Sequence, residues 1–178
     1  MSKTDDVLNS LQLDFRIKTM EVIRLCADQD VTILPYCGLR TCAEQAKLFR
    51  RSRGSKEVEQ KAQSFRDRSL NELAQVLLDV GPQPSGAMLT KSGPGESWHQ
   101  YGLALDCVPM LAGKALWEAD AKEWDVYGAA AAQMGLVWAR NWKSFPEAPH
   151  IQLPPTTNPF STFSTADAIK QLKECGSL

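Results

Sequence analysis

The chain has 178 residues, 43% of them hydrophobic and 23% charged, enough to bury a core without disulfides or a structural metal to staple it. Twenty basic against twenty-one acidic residues leave a formal charge of −1, which excludes a strong overall field for nucleic acid or anionic lipid. Five cysteines without a CxxC pair read as reduced thiols, each by default a small buried hydrophobe.

The first fifteen residues, MSKTDDVLNSLQLDF, carry acids where a signal peptide needs a basic start and an apolar run. No stretch is long enough to span a bilayer, so the expectation is synthesis in the cytosol without membrane insertion. From about Leu11 to Asp28, Phe15, Val22 and Cys26, with Met20 and Ile23 beside them, recur at helical spacing and predict an amphipathic helix. Val31 to Tyr36 reads as a short strand that Gly38 breaks. Thr41 and Glu44 then match a capping box opening a helix to about Arg51, which sets Arg40 on a strand-to-helix turn where it can reach a cleft.

Lys56 to Leu78 is proline-free and rich in helix formers, predicting one or two helices. Gly81 to Glu96 is a loop by its glycine and proline content, with an extended stretch at Met88 to Thr90. In the next segment, GLALDCV, strand alternation puts Gly102, Ala104 and Asp106 on one face and Leu103, Leu105 and Cys107 on the other. Trp124 to Met134 reads as a helix stopped by Gly135 in an αL cap, with a strand at Leu136 to Trp138. HIQL alternates as well, and if it pairs with the preceding strand, His150 and Asp106 share a face. Ser164 to Cys175 is a closing helix ended by Gly176.

Only two histidines occur, His99 and His150, each in a glycine- or proline-bounded segment: SWHQYGLALD (Ser97 to Asp106) and PEAPHIQL (Pro146 to Leu153). With Asp106 they supply the three ligands that a catalytic zinc takes, leaving a fourth position for water. The seven-residue separation of His99 and Asp106 excludes the HExxH helix pair, and a turn through Tyr101 and Gly102 would fold His99 back over the strand. Glu147, three residues before His150, is placed to act as general base. Arg40 carries a planar fork of donors suited to a carboxylate or to a developing oxyanion. Gln45 and Ser97 are weaker candidates for substrate binding. Trp98, Tyr101, Trp138 and Trp142 are expected to pack around the site, and the run Arg50, Arg51, Arg53 to complement a helix C-terminus or an anionic wall.

SWHQYGLALD resembles the SxHxxGxAxD signature of the zinc D-alanyl-D-alanine carboxypeptidase and L-alanyl-D-glutamate endopeptidase family, which includes many bacteriophage endolysins. GLRTCAEQAKLF, MGLVWARNWKSF and PEAPHIQL resemble three further segments of that family, in the family's order, across roughly Ile33 to Leu153. The resemblance implies one Zn²⁺ on His99, Asp106 and His150, Glu147 as catalytic acid/base, and Arg40 polarising the scissile carbonyl or holding substrate. It implies an α+β fold with a small antiparallel sheet flanked by helices. From length and composition the chain is expected to form a single domain and a monomer, with no separate wall-binding module. The implied partner is the stem peptide of bacterial peptidoglycan, cut at the L-Ala–D-Glu bond by an endolysin that is released from the cytosol to the wall. A D-Ala-D-Ala carboxypeptidase or dipeptidase is the nearest alternative. Departures are Glu147 where endolysins often carry aspartate, Ala139 and Arg140 where a glycine pair is common, and Ile151 after the last histidine.

Two histidines and a carboxylate also form the facial triad of non-haem iron oxygenases, although the HxD spacing typical of many of them is missing. A wall-binding module with an inert zinc is the third class.

Overall fold

The computed structural model describes residues 3–178, so Met1 and Ser2, the first two residues of the leader reading, lie outside the described residues. The fold is α+β, with an antiparallel sheet and helices, and its residues gather in two compact units. One comprises the described residues up to Leu39 together with Gly102–Pro155, and the other Arg40–Tyr101 with Thr156–Leu178. Among the described residues, no helix is long and apolar enough to cross a membrane.

The first unit holds helices α1 (Lys3–Asn9), α2 (Leu13–Ala27) and α6 (Lys122–Gln133) and strands β1 (Thr32–Cys37), β2 (Ala104–Leu111), β3 (Lys114–Ala115), β4 (Val137–Trp138) and β5 (His150–Gln152). The strands pair antiparallel in the order β1-β2-β5-β4, with β3 on β2. Leu105, Cys107 and Ile151 turn to one face, where Phe15, Val22 and Cys26 of α2 and Trp124, Tyr127 and Ala131 of α6 close a core. Burial of these side chains is what makes the short strands β4 and β5 stable, since strands of two or three residues have little pairing of their own. The predicted amphipathic helix is thus observed, beginning at Leu13. A further helix, α1, precedes it and was not expected, because it is short and buries no residue.

Helix α6 ends as its sequence predicts. Gly135 takes φ +70°, and the amides of Gly135 and Leu136 return to the carbonyls of Ala132 and Ala131, the paired bonds of a Schellman cap. Inside the same helix, Gly128 lies under the indole of Trp138, and a Cβ there would stand 2.1 Å from a ring atom. Trp138 in turn donates through Nε1 to the carbonyl of Ala148, 2.7 Å away. A helical glycine is ordinarily improved by alanine, but here the rigid ring must move. Gly128→Ala is therefore expected to destabilise the protein by about 1–3 kcal/mol, read as a lower Tm; an unchanged or higher Tm would show that the indole yields without cost.

The second unit is helical: α3 (Cys42–Arg50), α4 (Ser55–Asp67), α5 (Asn71–Asp79) and α7 (Thr165–Glu174), with 3-10 turns at Trp98–Tyr101 and Pro159–Ser161. The Thr41/Glu44 capping box is present in full. Two helices fill the stretch read as one or two. The loop before the first histidine motif has no strand, so Met88 to Thr90 joins no sheet. Two residues of the basic run find partners inside this unit. Arg50 donates to the terminal carbonyls of α5 at Leu77 and Leu78, 3.1 Å each, and Arg53, nearly buried, bonds the carbonyls of Phe49 and Thr90 and pairs with Glu57. Arg50 and Arg53 serve helix ends and a loop, as the dipole argument expects, and neither guanidinium is spare for an anionic wall.

Candidate metal centre

Strand β2 carries Asp106 on the face opposite the apolar core, and β5 lies beside it with Asp106 directly opposite His150. Direct antiparallel partners project to the same face, and Nδ1 of His150 meets Oδ1 of Asp106 at 3.1 Å. The other imidazole nitrogen meets Oε1 of Gln152 at 3.1 Å, and the ring of Trp142 lies 5.4 Å away. The face-sharing that alternation predicted for Asp106 and His150 is observed. The backbone of β5 is pinned from below, because the carbonyl of Pro149 accepts from the amide of Cys107 and from the hydroxyl of Tyr127.

The electrostatics suit a cation. Burial by itself lowers the pKa of His150, yet the hydrogen bond and charge of Asp106, the charge of Glu147 and the hydrogen bond of Gln152 together outweigh it and raise the pKa above its ordinary value. Two carboxylates thus press negative potential on one buried imidazole. Imidazole with carboxylate is a donor set zinc accepts. Glu147 is half-buried, close enough for its charge to act on His150, and its amide donates to the carbonyl of Ala139. Arg140 lies over Trp138 and pairs with Asp125 at 3.1 Å. Ile151 is buried in the core, so that departure is a matter of packing.

The remaining predicted residues belong to the helical unit. His99 is buried in the 3-10 turn Trp98–Tyr101, and its carbonyl accepts the amide of Arg40 at 3.1 Å. The Arg40 guanidinium donates to Oε1 of Gln45, 2.8 Å away, while the Gln45 amide nitrogen donates to the carbonyl of Ser92 at 2.7 Å. Gln45 is fully buried, so its hydrogen bonds fix the direction of Arg40 from beneath. Ser97 is half-buried at the head of the turn, its amide bonded to the side chain of Gln100. Trp98 and Tyr101 pack against each other and against Phe163, as expected of structural aromatics.

One residue escaped the sequence reading. Strand parity would set Tyr36 opposite Asp106, but a bulge between Pro35 and Cys37 shifts the register so that Cys37 faces Asp106 instead. The only signal for it in the sequence is Gly38, which marks an irregular strand end.

Residues 90–153 match the family described as D-alanyl-D-alanine carboxypeptidase. The chain is also 29% identical over 87 residues to the peptidoglycan L-alanyl-D-glutamate endopeptidase CwlK of Bacillus subtilis (strain 168), covering 44% of this chain and 52% of that protein. The chain thus spans about half the length of the curated relative it matches. The family match contains Ser97, His99, Asp106, Glu147 and His150 and leaves Arg40 and Gln45 outside. Through that segment the chain is similar to the D-alanyl-D-alanine carboxypeptidase family of peptidases.

Proposed function

We propose that the protein is a zinc-dependent peptidase of the bacterial wall, hydrolysing the peptidoglycan stem peptide between L-Ala and D-Glu, with His99, Asp106 and His150 as metal ligands. The observation that carries this reading is the pairing of half-buried Asp106 with buried His150, facing Glu147's charge, within the segment that matches the family. A bound zinc supplies Lewis acidity toward the scissile carbonyl and toward solvent. Glu147 accepts the proton of the attacking water and delivers it to the leaving amine, a transfer its nearness to His150 supports. Arg40 steadies the negative charge that develops on the carbonyl oxygen, or the carboxylate of the substrate, and Gln45 holds its fork in direction. Ser97 is assigned to substrate binding.

The alternative is removal of the terminal D-Ala, which the description of the matching family favours. Digestion of purified peptidoglycan, with and without a chelator, followed by mass spectrometry of the fragments separates the two. New D-Glu amino termini that vanish on chelation are expected; free D-Ala without them would overturn the endopeptidase reading, and chelator-insensitive cleavage would overturn the metal.

Arg40→Ala is expected to lower kcat/KM by a factor on the order of 10²–10³, the loss typical of a donor to a developing oxyanion. Steady-state kinetics on a stem-peptide substrate check it, and an unchanged rate would reduce Arg40 to scaffold.

A further inference from the structure

The bulge in β1 completes a row of metal-binding groups across three strands. Cys37 on β1 faces Asp106 on β2, and Asp106 faces His150 on β5, so thiol, carboxylate and imidazole line up on one side of the sheet. Sγ of Cys37 and a carboxylate oxygen of Asp106 lie within 4.8 Å, and the same aspartate reaches His150 at 3.1 Å. Thiolate is the softest donor that proteins offer zinc, and it binds cobalt and zinc in tetrahedral sites together with nitrogen and oxygen.

We propose that Cys37 is a further ligand of the metal, its thiol giving up its proton to solvent and its sulfur joining the ion beside Asp106. This rests on the metal reading of the proposed function. Cysteine also shifts the site's preference toward softer ions than a histidine and carboxylate set alone would select.

The other cysteines give internal controls. Cys26, Cys42 and Cys107 are buried, and burial pushes their thiols up, to about 11 for Cys26 and about 12 for Cys42, so they resist alkylation. Cys37 and Cys175 are half-exposed.

The test uses the full chain loaded with cobalt(II) alone. A sulfur-to-cobalt charge-transfer band in the near ultraviolet is expected, together with the visible bands of tetrahedral cobalt. Cys37→Ser is expected to keep the visible bands and lose the ultraviolet one. In the unaltered protein, cobalt is expected to slow alkylation of Cys37 by iodoacetamide on the order of tenfold or more while leaving Cys175 unaffected, as ligation removes the free thiolate. That measurement decides the matter even if the serine variant does not fold. Visible bands without the ultraviolet band, with Cys37 alkylated at the same rate in the presence of cobalt, would overturn the role of Cys37 and leave the zinc peptidase reading standing. Failure to take up cobalt at all would overturn both.

Discussion

Glu147→Gln is expected to reduce hydrolysis of the stem peptide by a factor on the order of 10²–10⁴, the range spanned by general acid–base catalysis, while zinc content and thermal stability stay close to those of the unaltered protein. Glu147 is half-buried in the segment leading to β5, and its charge contributes to the raised pKa of His150, yet it is not among the residues facing Asp106 across the strands. Glutamine keeps the size and a carbonyl oxygen but cannot take a proton from water. Because the side chain contributes no core packing, the fold has little to lose. Zinc content by atomic emission, a thermal melt and turnover of a stem peptide settle the matter together. Full activity in a folded, metal-loaded variant would remove Glu147 from the chemistry, and would favour a wall-binding module in which the ion is inert.

His99→Ala and His150→Ala are each expected to reduce zinc affinity by more than the ~10–100-fold that follows loss of a group merely orienting a ligand, leaving the purified protein close to metal-free and inactive. For His150 a structural cost accompanies the metal loss. Its imidazole is buried and shares a 3.1 Å hydrogen bond with Asp106, so its removal from a low-dielectric position costs about 1–3 kcal/mol even without an ion. The metal measurement separates the two effects, because a variant that still folds, judged by its circular dichroism, reports ligation alone. Normal zinc content in either folded variant would contradict that histidine's place as a ligand. Iron in place of zinc, with oxygen uptake, would point to the facial-triad chemistry that the same donors support.

Much of the fold was legible because local rules agreed with tertiary demand. The amphipathic spacing of Phe15, Val22 and Cys26 forms a helix because those side chains fill the core beneath the sheet. Thr41 with Glu44, and Gly135 after α6, cap helices through bonds spanning three to five residues, and such short-range geometry is written in the chain. Helix α1 was missed for the complementary reason: seven residues of which only Val7 and Leu8 pack against the core leave no periodic pattern. The extended stretch expected near Met88 shows the same limit, since a strand needs a neighbour to pair with.

The amino-acid sequence by itself determined the residue types of the candidate centre and the parity that lets Asp106 and His150 share a face, because side-chain alternation in a strand is a local property. It also carried the family resemblance in four ordered motifs. Only the tertiary structure decided which strands are neighbours and in what register. Through that register a bulge sets Cys37, rather than Tyr36, opposite Asp106, and through folding Arg50 meets carbonyls twenty-seven and twenty-eight residues away. Those pairings depend on loop closure and burial over long separations, which no local pattern encodes.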